Sequence, residues 1–251
     1  MSTASAESCP SDILCEIITP ELFQAINQCA SSQLRHIYYH HSNVLDIYRQ
    51  ACSENVFGNQ VKLNNFRHAI ELASADHDLG KIKVPTGTFP IPLSRDKVIK
   101  HFHPHPADSL KLLGSQFCQQ YPVATQIIIH HHWYGPDYLS EADQQQLGFS
   151  ITPLNELDEE TLRHLRDFVI SDRFAAHFEF RQHNDKDKAI KSNDEIIAEV
   201  KQDVEFLNLP DSFINSINFP SFVDISKSVC HQNQKILKPQ DILEPTESLH
   251  Y

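Results

Sequence analysis

The sequence predicts an all-α fold, on three observations. Apolar residues recur at three- and four-residue spacing along most of the chain, no stretch sustains the alternation a sheet face needs, and helix-starting and helix-stopping residues separate the periodic segments. A chain of 251 residues, 40% of them hydrophobic, is long enough to pack such helices around one substantial core.

In chain order, the first ten residues read as a tail, and TPELFQAINQCASSQLRHIYYHHSNVLDIYRQAC (19–52) carries the first helical pattern, with Thr19 as N-cap and Pro20 at the first helical position. NNFRHAIELASADHDLG (64–80) follows, with Gly80 as its stop. KIKVPTGTFPIPLS (81–94), rich in proline and threonine, is expected to be an ordered loop, and Ser94 to cap SRDKVIKHF (94–102). PADSLKLLGSQFCQQY (106–121) and PVATQIIIHHHWY (122–134) are the next two patterns. Asp158 caps DEETLRHLRDFVISDRFAAHFEF (158–180), NDEIIAEVKQDVEFLNL (193–209) ends the series, and KILKPQDILEPTESLHY (235–251) reads as a tail. The expected organisation is an N-terminal tail and helix over 1–35, one helical-bundle domain over 36–208, and a C-terminal helical extension and tail over 209–251.

A formal net charge of -12 with no basic patch argues against duplex nucleic acid and anionic membranes as partners. A small anionic substrate remains compatible if metal ions reverse the field locally. The start of the chain lacks the positive end and apolar run of a signal peptide, and no later run has membrane-spanning length, so a cytoplasmic protein is expected. Six scattered cysteines without a CxxC pair read as reduced, mostly structural thiols.

Sixteen histidines, clustered at 36–41, 101–105 and 130–132, are the unusual feature. His36 and His40 share one helix face, and His101, His103 and His105 alternate across a proline-rich turn. His130, His131 and His132 follow an apolar run, so at least one imidazole points inward with it; helical neighbours about 100° apart can reach one cation between them. His77 and Asp78 end a core helix, where a buried polar pair needs partners. Asp172 sits in the apolar segment FVISDRFAA, to be explained by an ion pair with Arg166 or Arg173 or by a metal. Each feature has an ordinary explanation by itself. Together His40, His77, Asp78, His105, His130, His131 and Asp172 form an imidazole and carboxylate set on separate helices, which suits manganese, iron, zinc or nickel.

Four segments in this order resemble the HD superfamily of metal-dependent phosphohydrolases, most closely its HD-GYP branch of cyclic dinucleotide phosphodiesterases, over about residues 36 to 180. HDLGKIKVP is similar to that branch's HD-x-G-K-I-x-x-P segment, and LSRDKVIKHFHPHPADSLKLL to its next helix and His-Pro turn. IIIHHHWY is similar to the paired-histidine helix, and VISDRFAA to the last motif. In the upstream helix, His40 as the early ligand puts Val44 and Ile47 on the family's apolar positions, whereas His41 slips that pattern; His36 then stands where trinuclear members carry a glutamate, leaving a third site open. His105 is preferred over His103, and the pair His130 and His131 over His131 and His132. The D-G-x-G-Y-P signature is absent, with a partial echo in Gly135, Pro136 and Tyr138, and Ala175 stands where relatives often have aspartate.

The resemblance implies two divalent ions (manganese, iron, nickel or zinc). His40, His77, Asp78 and Asp172 would bind one, and Asp78, His105, His130 and His131 the other, with a hydroxide between them attacking a phosphate ester of a cyclic dinucleotide, cyclic di-GMP first, or a related nucleotide. Asp78 and Lys81 would be catalytic, with Lys81, Trp133, Tyr134 and Tyr138 facing the substrate. A nucleotide phosphomonoesterase of the same fold and a non-catalytic nucleotide-binding or signalling scaffold are the alternatives. A homodimer is compatible with the N-terminal helix.

Overall fold

The computed structural model describes residues 31–58, 66–83, 104–132, 134–182, 191–205 and 207–236. Among them are nine α-helices and no strand: α1 (Ser31–Ser53), α2 (Phe66–Asp76), α3 (His105–Gln120), α4 (Pro122–His130), α5 (Glu141–Leu147), α6 (Glu159–Gln182), α7 (Asn193–Glu205), α8 (Asp211–Asn215) and α9 (Phe219–Ile236). Short 3-10 helices cover Leu79–Lys83, Gly135–Tyr138 and Leu154–Glu156. No helix among the described residues is long and apolar enough to cross a membrane. The Thr19 and Ser94 caps, the helix at 94–102 and residues 84–94 of the expected loop lie outside the described residues.

Helix α6 runs through the middle, touched by α1, α2, α4, α7 and α9. The reason is its composition: Leu165, Phe168, Val169, Ile170, Phe174, Ala175 and Phe178 are all buried, and a helix apolar on most sides must be surrounded. Helix α1 offers Ile37, Val44, Ile47, Tyr48 and Ala51 to the same core, the three- and four-residue spacing of its sequence. Helix α9 packs on both, with Phe222, Val223 and Cys230 buried. Asp158 caps α6 as expected, its Oδ1 accepting from the Thr161 amide at 2.8 Å. Arg166 is fully buried but satisfied: it donates to Asp167 Oδ1 at 2.7 Å and to the Phe213 carbonyl at 2.5 Å.

Gly80 has a different job from the helix stop its sequence position predicts. Helix α2 already ends at Asp76, and Gly80 lies inside the 3-10 helix that follows. A Cβ on Gly80 would sit 2.1 Å from the His105 carbonyl oxygen, so glycine is needed for the close approach of this turn to α3. Ser109 of α3 locks the contact, accepting from the Gly80 amide at 2.8 Å and donating to the His77 carbonyl at 2.6 Å. Those bonds tie the His77–Asp78 turn to the helix that begins at His105.

Candidate metal centre

The ends and faces of five segments converge on one buried polar cluster. Helix α1 supplies His40 and His41, the turn after α2 supplies His77 and Asp78, the start of α3 supplies His105, the end of α4 supplies His131 and His132, and the middle of α6 supplies Asp172. All but His132 are buried, with His77 wholly so. On α6 the positions Phe168, Asp172, Ala175 and Glu179 share one face, and the Phe168 ring backs His77 at 5.1 Å and His131 at 6.0 Å.

One half centres on His77. His40 Nε2 lies 2.9 Å from Asp172 Oδ1, 3.3 Å from His77 Nε2 and 3.5 Å from Asp78 Oδ2. His77 Nε2 is 3.5 Å from Asp172 Oδ1 and 3.6 Å from Asp78 Oδ2. The other half centres on His105, whose Nε2 is 3.2 Å from both His131 Nε2 and Asp78 Oδ1. His132 completes it, with one ring nitrogen of each of the three histidines within 4.8 Å of the others. Asp78 stands between the halves, Oδ2 toward one and Oδ1 toward the other.

The outward ring atoms decide what the inward ones can do. A carbonyl only accepts, so His77 Nδ1 donates to Ala73 at 3.2 Å and His131 Nδ1 donates to Ile128 at 2.6 Å; in each ring Nε2 is the nitrogen left facing inward to ligate. A guanidinium only donates, so His132 Nδ1 is the lone-pair atom facing Arg173 Nη2 at 2.6 Å; the ring proton is then on Nε2, and His132 can ligate a cation only when Arg173 withdraws. Burial, together with neighbouring His77 and His105, keeps His131 well below the usual histidine range, and burial with Arg173 does the same for His132. Burial opposes the charge on His40 too, but Glu179, Asp172 and Asp78 overcome it and push His40 up to about 10. Burial also disfavours the Asp78 carboxylate, yet the Lys81 ammonium against Oδ2 and the His77 and His105 rings hold it well below its ordinary range. Asp172 is held down in the same sense by His40 and His77 against its burial.

This donor set fits divalent cations. Lone pairs of His77 and His131 converge on carboxylates inside a buried space, and Asp78 Oδ1 has no hydrogen bond of good geometry although it touches His105. Backbone carbonyls and a carboxylate behind the rings are the arrangement that orients imidazole ligands. The ion-pair explanation for Asp172 accounts for little: Arg166 is committed to Asp167, and Arg173 Nε lies 3.8 Å from Asp172 Oδ2 and 3.3 Å from Asp203.

Of the residues singled out from sequence, His40, His77, Asp78, His105, His131 and Asp172 come together, with Lys81 at the edge. His130 does not join them: its Nε2 donates to the Thr152 carbonyl at 2.9 Å, beside Gln126 one turn earlier, which donates to Thr152 Oγ1 at 2.9 Å. The structure brings in His132 instead. Tyr134 stacks on the His132 ring at 5.0 Å, and Tyr138, 39% exposed, meets Tyr134 edge-on at 6.4 Å. His103 and Trp133 lie outside the described residues, and the His36 side chain does too.

Sequence reasoning set His41 aside in favour of His40 and missed Glu179. His41 falls in the trio with His77 and Asp78. Glu179 accepts from His40 Nδ1 at 3.0 Å and from Asn43 Nδ2 at 2.7 Å. The available signal for Glu179 was its seven-residue spacing from Asp172, two turns along one helix face. Comparison of the chain with protein-family models, curated proteins and solved structures found no match.

Proposed function

We propose that the chain is a metal-dependent phosphohydrolase of the HD type, acting on a phosphodiester of a cyclic dinucleotide or a related nucleotide. The observation that carries this reading is the double cluster sharing Asp78: His40, His77 and Asp172 on one side, His105, His131 and His132 on the other. His40, His77, Asp172 and Asp78 Oδ2 would hold one divalent ion, and His105, His131 and Asp78 Oδ1 a second, which His132 joins when Arg173 withdraws from its Nδ1. Such ions, when bound, supply Lewis acidity that acidifies water and offsets charge on a phosphoryl oxygen.

The chain's own groups have the remaining roles. Lys81, paired with Asp78 Oδ2 and only part-buried, offers an ammonium to a phosphate oxygen at the edge of the cluster. Tyr134 and Tyr138 form an aromatic rim on the His132 side, where a base can stack with little discrimination between bases. Ser109 and Glu179 hold the turn and the imidazole from behind, so the donors stay placed when substrate enters.

The rim supports a second reading. Where the resembling branch carries D-G-x-G-Y-P, this chain has a 3-10 turn at Gly135–Tyr138, so a nucleotide phosphomonoesterase is the alternative. The test is chromatography of products after incubating manganese-loaded protein with cyclic di-GMP, with Asp78→Ala as blank. Linear dinucleotide or GMP formed only by the unaltered protein is the expected result. Nucleoside phosphate hydrolysed in its place selects the alternative, and nucleotide bound but unchanged under several metals refutes hydrolysis and favours a scaffold.

A further inference from the structure

His40 and His41 are neighbours on α1, so their side chains leave the helix about 100° apart, yet both rings approach the same partner. The His77 ring centroid lies 5.2 Å from His40 and 4.9 Å from His41, while His40 and His41 are 6.3 Å apart. The three rings form a compact triangle, with His77 against both. His40 has its outward nitrogen on Glu179. His41 is 6% exposed, and its buried Nε2 has no hydrogen-bond partner among the described residues. Leaving a buried nitrogen unsatisfied costs about 1–3 kcal/mol, so such an atom calls for an explanation.

We propose that His41 is a further ligand of the cation held at His77, an inference that rests on the metal centre argued above. A ring nitrogen of His41 lies within 4.8 Å of the ligand atoms of His77 and Asp78. His77 Nε2 has one lone pair and can serve one ion, so the trio with His41 and the trio with His40 and Asp172 describe the surroundings of a single cation. That cation would draw on three imidazoles, His40, His41 and His77, with Asp172 and Asp78. Asp172 and the shared Asp78 bring negative charge to the ion, and the nitrogen-rich remainder favours iron, nickel, cobalt or zinc over magnesium.

The test is nuclear magnetic resonance of the full chain labelled with 15N-histidine and loaded with 113Cd. A 113Cd–15N coupling at His41 Nε2 together with one at His77 Nε2 is the expected result. Coupling at His77 without coupling at His41 overturns the inference and leaves the metal centre standing; no coupling at either overturns both. A cobalt titration of His41→Leu gives the second readout, with a changed visible spectrum and affinity lower on the order of tenfold or more expected. An unaltered spectrum and affinity overturn the assignment, and because the cadmium measurement needs no substitution, it decides the matter if His41→Leu does not fold.

Discussion

Glu179→Gln isolates the support behind His40 with a change of one heavy atom and almost no change of shape. The native carboxylate accepts from both His40 Nδ1 and Asn43 Nδ2, and Asn43 is pinned in turn because its Oδ1 accepts from Asn233 Nδ2 at 2.9 Å. A glutamine has one acceptor oxygen for these two donors, so its amide NH2 faces either the Asn43 NH2, donor against donor, or the imidazole, which must then give up its Nδ1 proton and keep its Nε2–H on Asp172 in place of a metal. With Glu179 1% exposed, water does not relieve that opposition, and the variant should lose about 1–3 kcal/mol of stability. His40 also loses the carboxylate that orients it, which should weaken metal binding by about 10–100-fold. Urea unfolding of the metal-free protein reads the first effect and a calorimetric metal titration the second. Unchanged affinity with lowered stability would refute the idea that Glu179 acts through His40, and no change in either would refute the network itself.

Three further outcomes follow from particular contacts. Gly80→Ala places a Cβ 2.1 Å from the His105 carbonyl, so the urea midpoint should fall by an amount worth about 1–3 kcal/mol, and metal content should fall with it because the His77 turn moves off α3. His130→Ala should retain the metal content measured by elemental analysis while losing stability through the Thr152 contact, whereas His132→Ala should lose about one of the two ions; the reverse pattern would sink the placement of His132 in the cluster. Burial, aided by Arg166, lowers His164 to about 4, so the native ring resists protonation that the unfolded chain accepts near 6.5. Stability is therefore unaffected by this group above about pH 6.5 and declines as pH falls toward 4, by about 3 kcal/mol at most, and His164→Gln should flatten that acid limb in pH-dependent unfolding.

The all-α architecture was legible because it is written in local spacing. Val44, Ile47, Tyr48 and Ala51 repeat at helical intervals whatever they pack against, and Asp158 caps a helix through its own next turn. The pairing of His77 with Asp78 was equally visible, since a polar pair ending an apolar helix requires partners wherever the chain goes. The same local logic misread Gly80, because a glycine after a helix looks alike whether it ends that helix or admits another backbone.

What the sequence alone determined, then, is that imidazoles and carboxylates ride on separate amphipathic helices; which of them meet was decided only in three dimensions. His130 and His131 are indistinguishable as letters, but Gln126 and His130 lie one turn apart and are both drawn to Thr152, which rotates His131 onto His105. His41 joins His40 because His77, from the turn after α2, packs against both rings, and Glu179 matters because α1 lies along α6. Side-chain direction near a helix end depends on distant partners worth a few kcal/mol, and those partners exist only once the helices have packed.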